Sequence, residues 1–217
     1  MKIISVTGLS IPEIKVVRFA RFCDHRGYFT ETFRKSDIIH NPELSSLRDA
    51  AFVQGNQSFS KKGVMRGLHF QWNPYMGKLV RTIEGHMMDL VLDIRKGSKA
   101  FGKIIAYDMP AVQGNDSDEW IWIPPGFAHG NFFLADTIIE YLCTGEYSQG
   151  CEAGISPIAG DIDWSLCDAG LKHLFDEASK TAVMSDKDKN GLTVTAWSGD
   201  KRSGNFIFEE LKMEGLS

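Results

Sequence analysis

The chain has 217 residues, a net charge of −4 and ordinary charged and apolar fractions, which suits one globular domain with a substantial core, or one domain with a trailing extension. An acidic balance provides no basic field for nucleic-acid binding, so any anionic ligand needs a local cluster of Arg and Lys. No apolar run approaches the ~20 residues of a membrane span, and the apolar stretch in the opening MKIISVTGLSIPEIK is too short for a signal peptide, so no membrane partner and a cytoplasmic location are expected. The four cysteines, Cys23, Cys143, Cys151 and Cys167, form no CxxC pair and are expected to be reduced thiols.

In chain order, residues 14–19 are β-branched and apolar, 24–27 carry turn chemistry, and 28–33 return to mixed alternation, which predicts two strands around a turn. Residues 34–48 have the composition of a short helix or loop, and 51–59 read as a strand. Lys61, Lys62 and Gly63 then turn into 64–71, VMRGLHFQ. Val64, Leu68 and Phe70 alternate there with Arg66, His69 and Gln71, the pattern of a half-buried strand. The alternation is imperfect, because Met65 is also apolar and Gly67 weakens a strand interior. A strand carrying Arg, His and Gln looks like the wall of a polar pocket. Beyond a loop at 72–77, strands are expected at 78–84, 86–94 and 102–109. A polar loop spans 111–118, a strand 119–123, and residues 129–134 and 137–144 form a hairpin. Short strands punctuated by Gly, Pro and Asn indicate a β-sandwich or barrel, with no βαβ rhythm. After Trp164 the texture changes: a helical turn or two at 171–178, a polar segment at 185–190, a strand at 192–197 and a terminal helix at 208–213.

Six histidines are present. His40 and His173 sit in polar surroundings, while His25 and His86 have no clear partner in sequence. His69 and His129 each lie in a strand-like stretch beside glycines, with Arg66, Lys78, Asp89 and Tyr141 on neighbouring strands. The residues 124–129, PPGFAH, are similar to the second motif of metal-binding cupins. Those sites also want a His-x-His pair and a Glu, whereas the earlier strand offers only His69, and a catalytic divalent metal usually takes three protein ligands; no metal is expected. Without a metal, a His beside a carboxylate serves as a general base, a Tyr returns a proton, and Arg or Lys stabilises an oxyanion. These residue types suit proton abstraction α to a carbonyl.

The segments DHRGYFTE (24–31), QGNQS (54–58), RGLHFQ (66–71), GKLVR (77–81), DIR (93–95) with FG (101–102), and IPPGFAHG (123–130) occur in one order. Over about residues 12–188 the chain resembles the dTDP-4-dehydrorhamnose 3,5-epimerase family, the RmlC-like sugar epimerases. The resemblance implies an all-β, cupin-type jelly-roll sandwich with short helices, over residues 1–188, with 189–217 as an extension packed on the same domain. It implies a homodimer that binds a nucleoside-diphospho-4-keto-6-deoxy sugar, dTDP-linked by default, and uses no cofactor. Position by position, His69 matches the base, Asp188 its carboxylate partner (Asp186 being a competing alignment), Tyr141 the acid and Lys78 the enolate-stabilising residue. Arg66 and His129 match residues lining the sugar and diphosphate region. Arg26, Glu31, Gln54 and Asn56 match nucleotide-contacting positions, some supplied by the partner subunit in that family. Gln71, Tyr147 and Glu152 complete the expected substrate-binding set. The chain departs from the usual pattern at Asn131, where the family reads HGF, at Glu146, where it reads a Tyr-Tyr pair, and at Gly55. Asn131 and Glu146 bear on the exact sugar and on whether C3, C5 or both are epimerised. A metal-dependent cupin enzyme and a non-catalytic sugar-nucleotide binder are the competing classes. Trp72 and Tyr75, after the central motif, are the aromatic candidates for ligand contact.

Overall fold

A computed structural model of the protein describes residues 1–213 and 215. Two sheets face each other. The six-stranded sheet is built from β1 (Ile3–Gly8), β2 (Lys15–Ala20), β5 (Gln54–Ser60), β7 (Lys78–Glu84), β10 (Ser117–Ile123) and β12 (Thr137–Cys143), in the order β1-β2-β10-β7-β12-β5. The five-stranded sheet contains β6 (Met65–Gln71), β8 (His86–Asp93), β9 (Ile104–Pro110), β11 (Phe127–Phe133) and β13 (Glu152–Gly154), in the order β13-β6-β11-β8-β9. A separate two-stranded ribbon pairs β3 (Phe22–Asp24) with β4 (Gly27–Phe29).

Strand alternation sorts the apolar residues into three layers. On β8, Met87 and Val91 point into the core between the sheets, while Met88, Leu90 and Leu92 point away from it. On β10, Ile121 and Ile123 face inward, and Trp120 and Trp122 face the opposite side. Both outer faces are therefore apolar and both are covered. Ile38, Leu44 and Leu47, on the segment holding α1 (Lys35–Ile39) and a following 3-10 turn, cover the six-stranded sheet. The five-stranded sheet is covered by α2 (Ala169–Ser179), α4 (Val194–Gly199), the segment around Phe206, and α5 (Phe208–Met213), through Phe175, Val194, Trp197, Phe206 and Leu211. Phe70 of β6 stacks edge-on with Trp197 at 4.6 Å and with Phe206 at 5.5 Å.

The expected strands and the terminal helix at 208–213 are present, with several differences. β1, β3 and β13 were not expected. The strand expected at 28–33 stops at Phe29, and the strand expected at 192–197 is the helix α4. Thr193 accepts from the Ala196 amide, and the distant Asp161 carboxylate accepts from the Val194 and Thr195 amides, so the first turn has its orphan donors satisfied. No helix among the described residues is long and apolar enough to cross a membrane.

Candidate active site

The sandwich opens at the end where β7, β12 and β5 face β13, β6 and β11. Two adjoining cavities there, of about 200 and 170 Å³, share His69, Lys78 and Tyr141 and form one cleft. Lys78 and Tyr141 come from the six-stranded sheet, His69 from the five-stranded sheet, so they stand on opposite walls.

Arg66 and His69 both face the cleft although three positions separate them, which a regular strand of period two forbids. A register shift resolves this: His69 pairs with His129 and Arg66 with Asn131, so two residues of β6 lie opposite the single Gly130 of β11. This bulge holds Gly67, at φ +107°, and the peptide from Gly67 to Leu68 is cis. Met65 and Leu68 point outward into the covered face, leaving Arg66, His69 and Gln71 toward the cleft. The backbones approach so closely that a Cβ on Gly67 would lie 2.5 Å from Gly130 Cα and one on Gly130 2.4 Å from the Arg66 carbonyl oxygen.

His69 Nε2 lies 2.6 Å from Asp188 Oδ1. Asp188 is buried on α3 (Asp186–Lys189), whose N-terminus is capped by Ser185 accepting from the Asp188 amide, while Asp186 is exposed. A neutral ring donating Nε2–H to the carboxylate keeps its lone pair on Nδ1. Burial pulls the imidazole below its ordinary value; Asp188 opposes this and Lys78 reinforces it. Lys78 is half-buried, and burial likewise lowers its ammonium. Burial raises the Tyr141 phenol, which thus stays protonated at neutral pH, with Arg66 opposing.

The remaining walls are polar. His129 Nε2 lies 2.8 Å from Asp89 Oδ2, and Arg66 Nε donates to Ser60 Oγ at 2.9 Å. Gln71 fixes the following loop by donating to the Pro74 and Glu146 carbonyls and accepting from the Ser148 amide. Gln54 accepts from the Tyr147 amide and donates to Asn56, which in turn donates to Cys143 Sγ. These contacts present the exposed Tyr147 ring at the cleft, its hydroxyl donating to Glu152 at 3.1 Å. Burial acts to raise the Glu152 carboxyl, but Lys187 and Tyr147 hold it below its usual value. Two expected residues are elsewhere in the chain: Arg26 pairs with Asp24 on the exposed ribbon, and Glu31 pairs with Arg34 and the Met1 amino group. Trp72 and Tyr75 pack against the cluster beneath the C-terminal segment, with the Tyr75 hydroxyl donating to the Asn205 carbonyl at 2.6 Å. Sequence reasoning passed over Ser58, Met76, Ile139 and Cys143 as cleft lining, although inward parity with Asn56 on β5 and with Tyr141 on β12 marks Ser58, Ile139 and Cys143. Among the described residues no three His, Cys, Asp or Glu side chains converge as a metal-ligand set.

A sequence profile of the family described as dTDP-4-dehydrorhamnose 3,5-epimerase matches residues 8–195. The chain belongs to this family. The dTDP-4-dehydrorhamnose 3,5-epimerase of Sinorhizobium fredii is 40% identical over 163 residues, covering 72% of this chain and 78% of the relative. That of Shigella flexneri is 36% identical over 191 residues, covering 86% and 94%. The crystal structure of the Legionella pneumophila epimerase in complex with dTDP-4-keto-L-rhamnose superposes with a TM-score of 0.76 at 29% identity, covering 94% of this chain and 97% of that one. As a dTDP-4-dehydrorhamnose 3,5-epimerase family member the chain is an isomerase of the epimerase class, and its jelly-roll sandwich is the fold of these relatives.

Proposed function

We propose that this protein epimerises a dTDP-linked 4-keto-6-deoxy sugar at C3, C5 or both, without a cofactor, through an enolate. The observation that carries this reading is the buried Asp188 bonded to His69 at 2.6 Å on one wall of a cleft whose other wall carries Tyr141 and Lys78. The 4-ketone acidifies the hydrogens at C3 and C5. His69, neutral because of its depressed basicity, removes one of them, and Asp188 stabilises the imidazolium that forms. The Lys78 ammonium balances the charge developing on O4. The Tyr141 phenol, kept protonated by burial, delivers a proton to the opposite face, which inverts the carbon. Once His69 has lost its proton to solvent and Tyr141 has regained one, a second cycle at the other carbon gives the doubly epimerised product. Arg66 and His129 serve the sugar and diphosphate, while Gln54, Asn56, Gln71, Tyr147 and Glu152 shape the nucleotide end. Arg26 and Glu31 act on the partner's cleft in a cytoplasmic homodimer.

Incubation with dTDP-4-keto-6-deoxyglucose in deuterated water, followed by NMR, tests the reading. Solvent deuterium is expected at C3, C5 or both, and its position decides between single and double epimerisation. His69→Ala is expected to lose the exchange with the fold intact by circular dichroism; full exchange in that variant removes His69 from the role of base.

A further inference from the structure

The five-stranded wall of the cleft contains a second buried carboxylate. Asp89 on β8 lies directly opposite Asn131 on β11 and has no exposed surface. Its Oδ2 accepts from His129 Nε2 at 2.8 Å and from Asn131 Nδ2 at 3.1 Å, and its Oδ1 is buried without a donor. Asn131 Nδ2 also lies 3.4 Å from Met87 Sδ. The amide is thus held by its donor end. Turned the other way, its carbonyl oxygen would face the Asp89 carboxylate, acceptor against acceptor, so the chemistry of Asp89 dictates which end points outward.

Asn131 is 5% exposed and lines the cleft beside Arg66, Lys78 and Tyr141. Among the described residues its Oδ1 accepts no hydrogen bond and is not wholly buried, and the residue lines the cleft. The groups around it are mostly donors: Arg66 and Lys78 can only donate, and Tyr141 is a protonated phenol. A ketone and a diphosphate are acceptors and match those donors. The groups on a keto-sugar ring that can donate to a carbonyl oxygen are its hydroxyls.

We infer that Asn131 is a specificity-determining residue whose Oδ1, aimed by Asp89, accepts a hydrogen bond from a ring hydroxyl of the sugar. This rests on the reading of the cleft as a keto-sugar nucleotide site. A sugar lacking that hydroxyl leaves the Asn131 carbonyl buried and unpaired, which is how a polar pocket rejects a deoxy analogue.

Binding, measured by calorimetry, separates this inference from catalysis. The probes are dTDP-6-deoxyglucose, which has no 4-ketone and cannot react, and its analogues lacking the C2 or the C3 hydroxyl. Wild type is expected to bind the parent about tenfold or more tightly than one of the two analogues. Asn131→Leu is expected to bind the parent and that same analogue equally, with the parent weakened by a similar factor. Asn131→Thr keeps a donor toward Asp89 but withdraws the carbonyl; it is expected to lose the same discrimination and serves if the Leu variant does not fold. Equal weakening of all three ligands by either variant, or discrimination by Asn131→Thr equal to wild type, overturns the inference and leaves the functional reading standing. Failure of wild type to bind any of the three overturns both.

Discussion

At His69, burial lowers the imidazole, the Asp188 carboxylate raises it, and the Lys78 ammonium lowers it again, with a net shift below the ordinary histidine value. A base must be unprotonated to act, so the acid limb of kcat/KM is expected to lie below the ordinary histidine range, at the depressed value. The basic limb belongs to the loss of the Lys78 ammonium, which burial also lowers. Asp188→Asn deletes the group that raises the imidazole, so the acid limb is expected to move to still lower pH. The same change removes the anion that stabilises the imidazolium, and the plateau is expected to fall by about 100-fold or more. The pH profile of deuterium exchange measures both effects. A limb that moves to higher pH, or a plateau within a few-fold of wild type, contradicts the dyad. A residue that only propped up the fold would lower the plateau without moving the limb in a defined direction.

The facing of Arg66 and His69 comes from a close backbone approach shared by two strands. Gly67 of β6 and Gly130 of β11 meet where neither can carry a side chain, and the resulting bulge turns both Arg66 and His69 into the cleft. Gly67→Ala adds a Cβ within 2.7 Å of the His129 carbonyl oxygen at a φ that disfavours any L side chain. The expected cost is about 3 kcal/mol, read as a lower urea midpoint at unchanged slope, with exchange activity falling further because His69 leaves its register. An unchanged midpoint contradicts the close approach. The imperfect alternation at Val64, Met65 and Gly67 was the trace of this bulge in the sequence, although its consequence for the facing of Arg66 became visible only with the register. Most strands were legible because turn residues bound them; after His86, β8 is apolar on both faces apart from Asp89 and Asp93, because both its faces are covered. The segment at 192–197 was misread because its helix is capped in part by Asp161, a partner the local pattern does not contain. His69 and the candidate lysine, tyrosine and arginine positions could be named from motifs. The choice of Asp188 over Asp186 needed the turn of α3, which buries the first and exposes the second.

In the whole molecule, the C-terminal segment is part of the core: Trp197 and Phe206 are fully buried against Phe70, the neighbour of His69. The Leu192 amide donates to the Gly154 carbonyl and the Ser156 amide to the Leu192 carbonyl, which tethers the chain just after α3 to the strand beside His69. One protomer thereby assembles His69, Asp188, Lys78 and Tyr141, yet it leaves Arg26 on a ribbon whose Phe22, Tyr28 and Phe29 rings are exposed. An apolar ribbon flanking a cation is the kind of surface that a second copy covers, and in the proposed homodimer each protomer completes the other's cleft. Complementation tests this directly. Arg26→Ala and His69→Ala chains are co-expressed with different affinity tags, and the mixed dimer is purified through both. If Arg26 serves the neighbouring cleft, each homodimer is impaired, while the mixed dimer holds one site with His69 and Arg26 both intact. Its exchange rate is then expected to be about half that of wild type per dimer. If Arg26 instead serves its own cleft, the mixed dimer has one site lacking His69 and one lacking Arg26, and its rate cannot exceed the mean of the two homodimers.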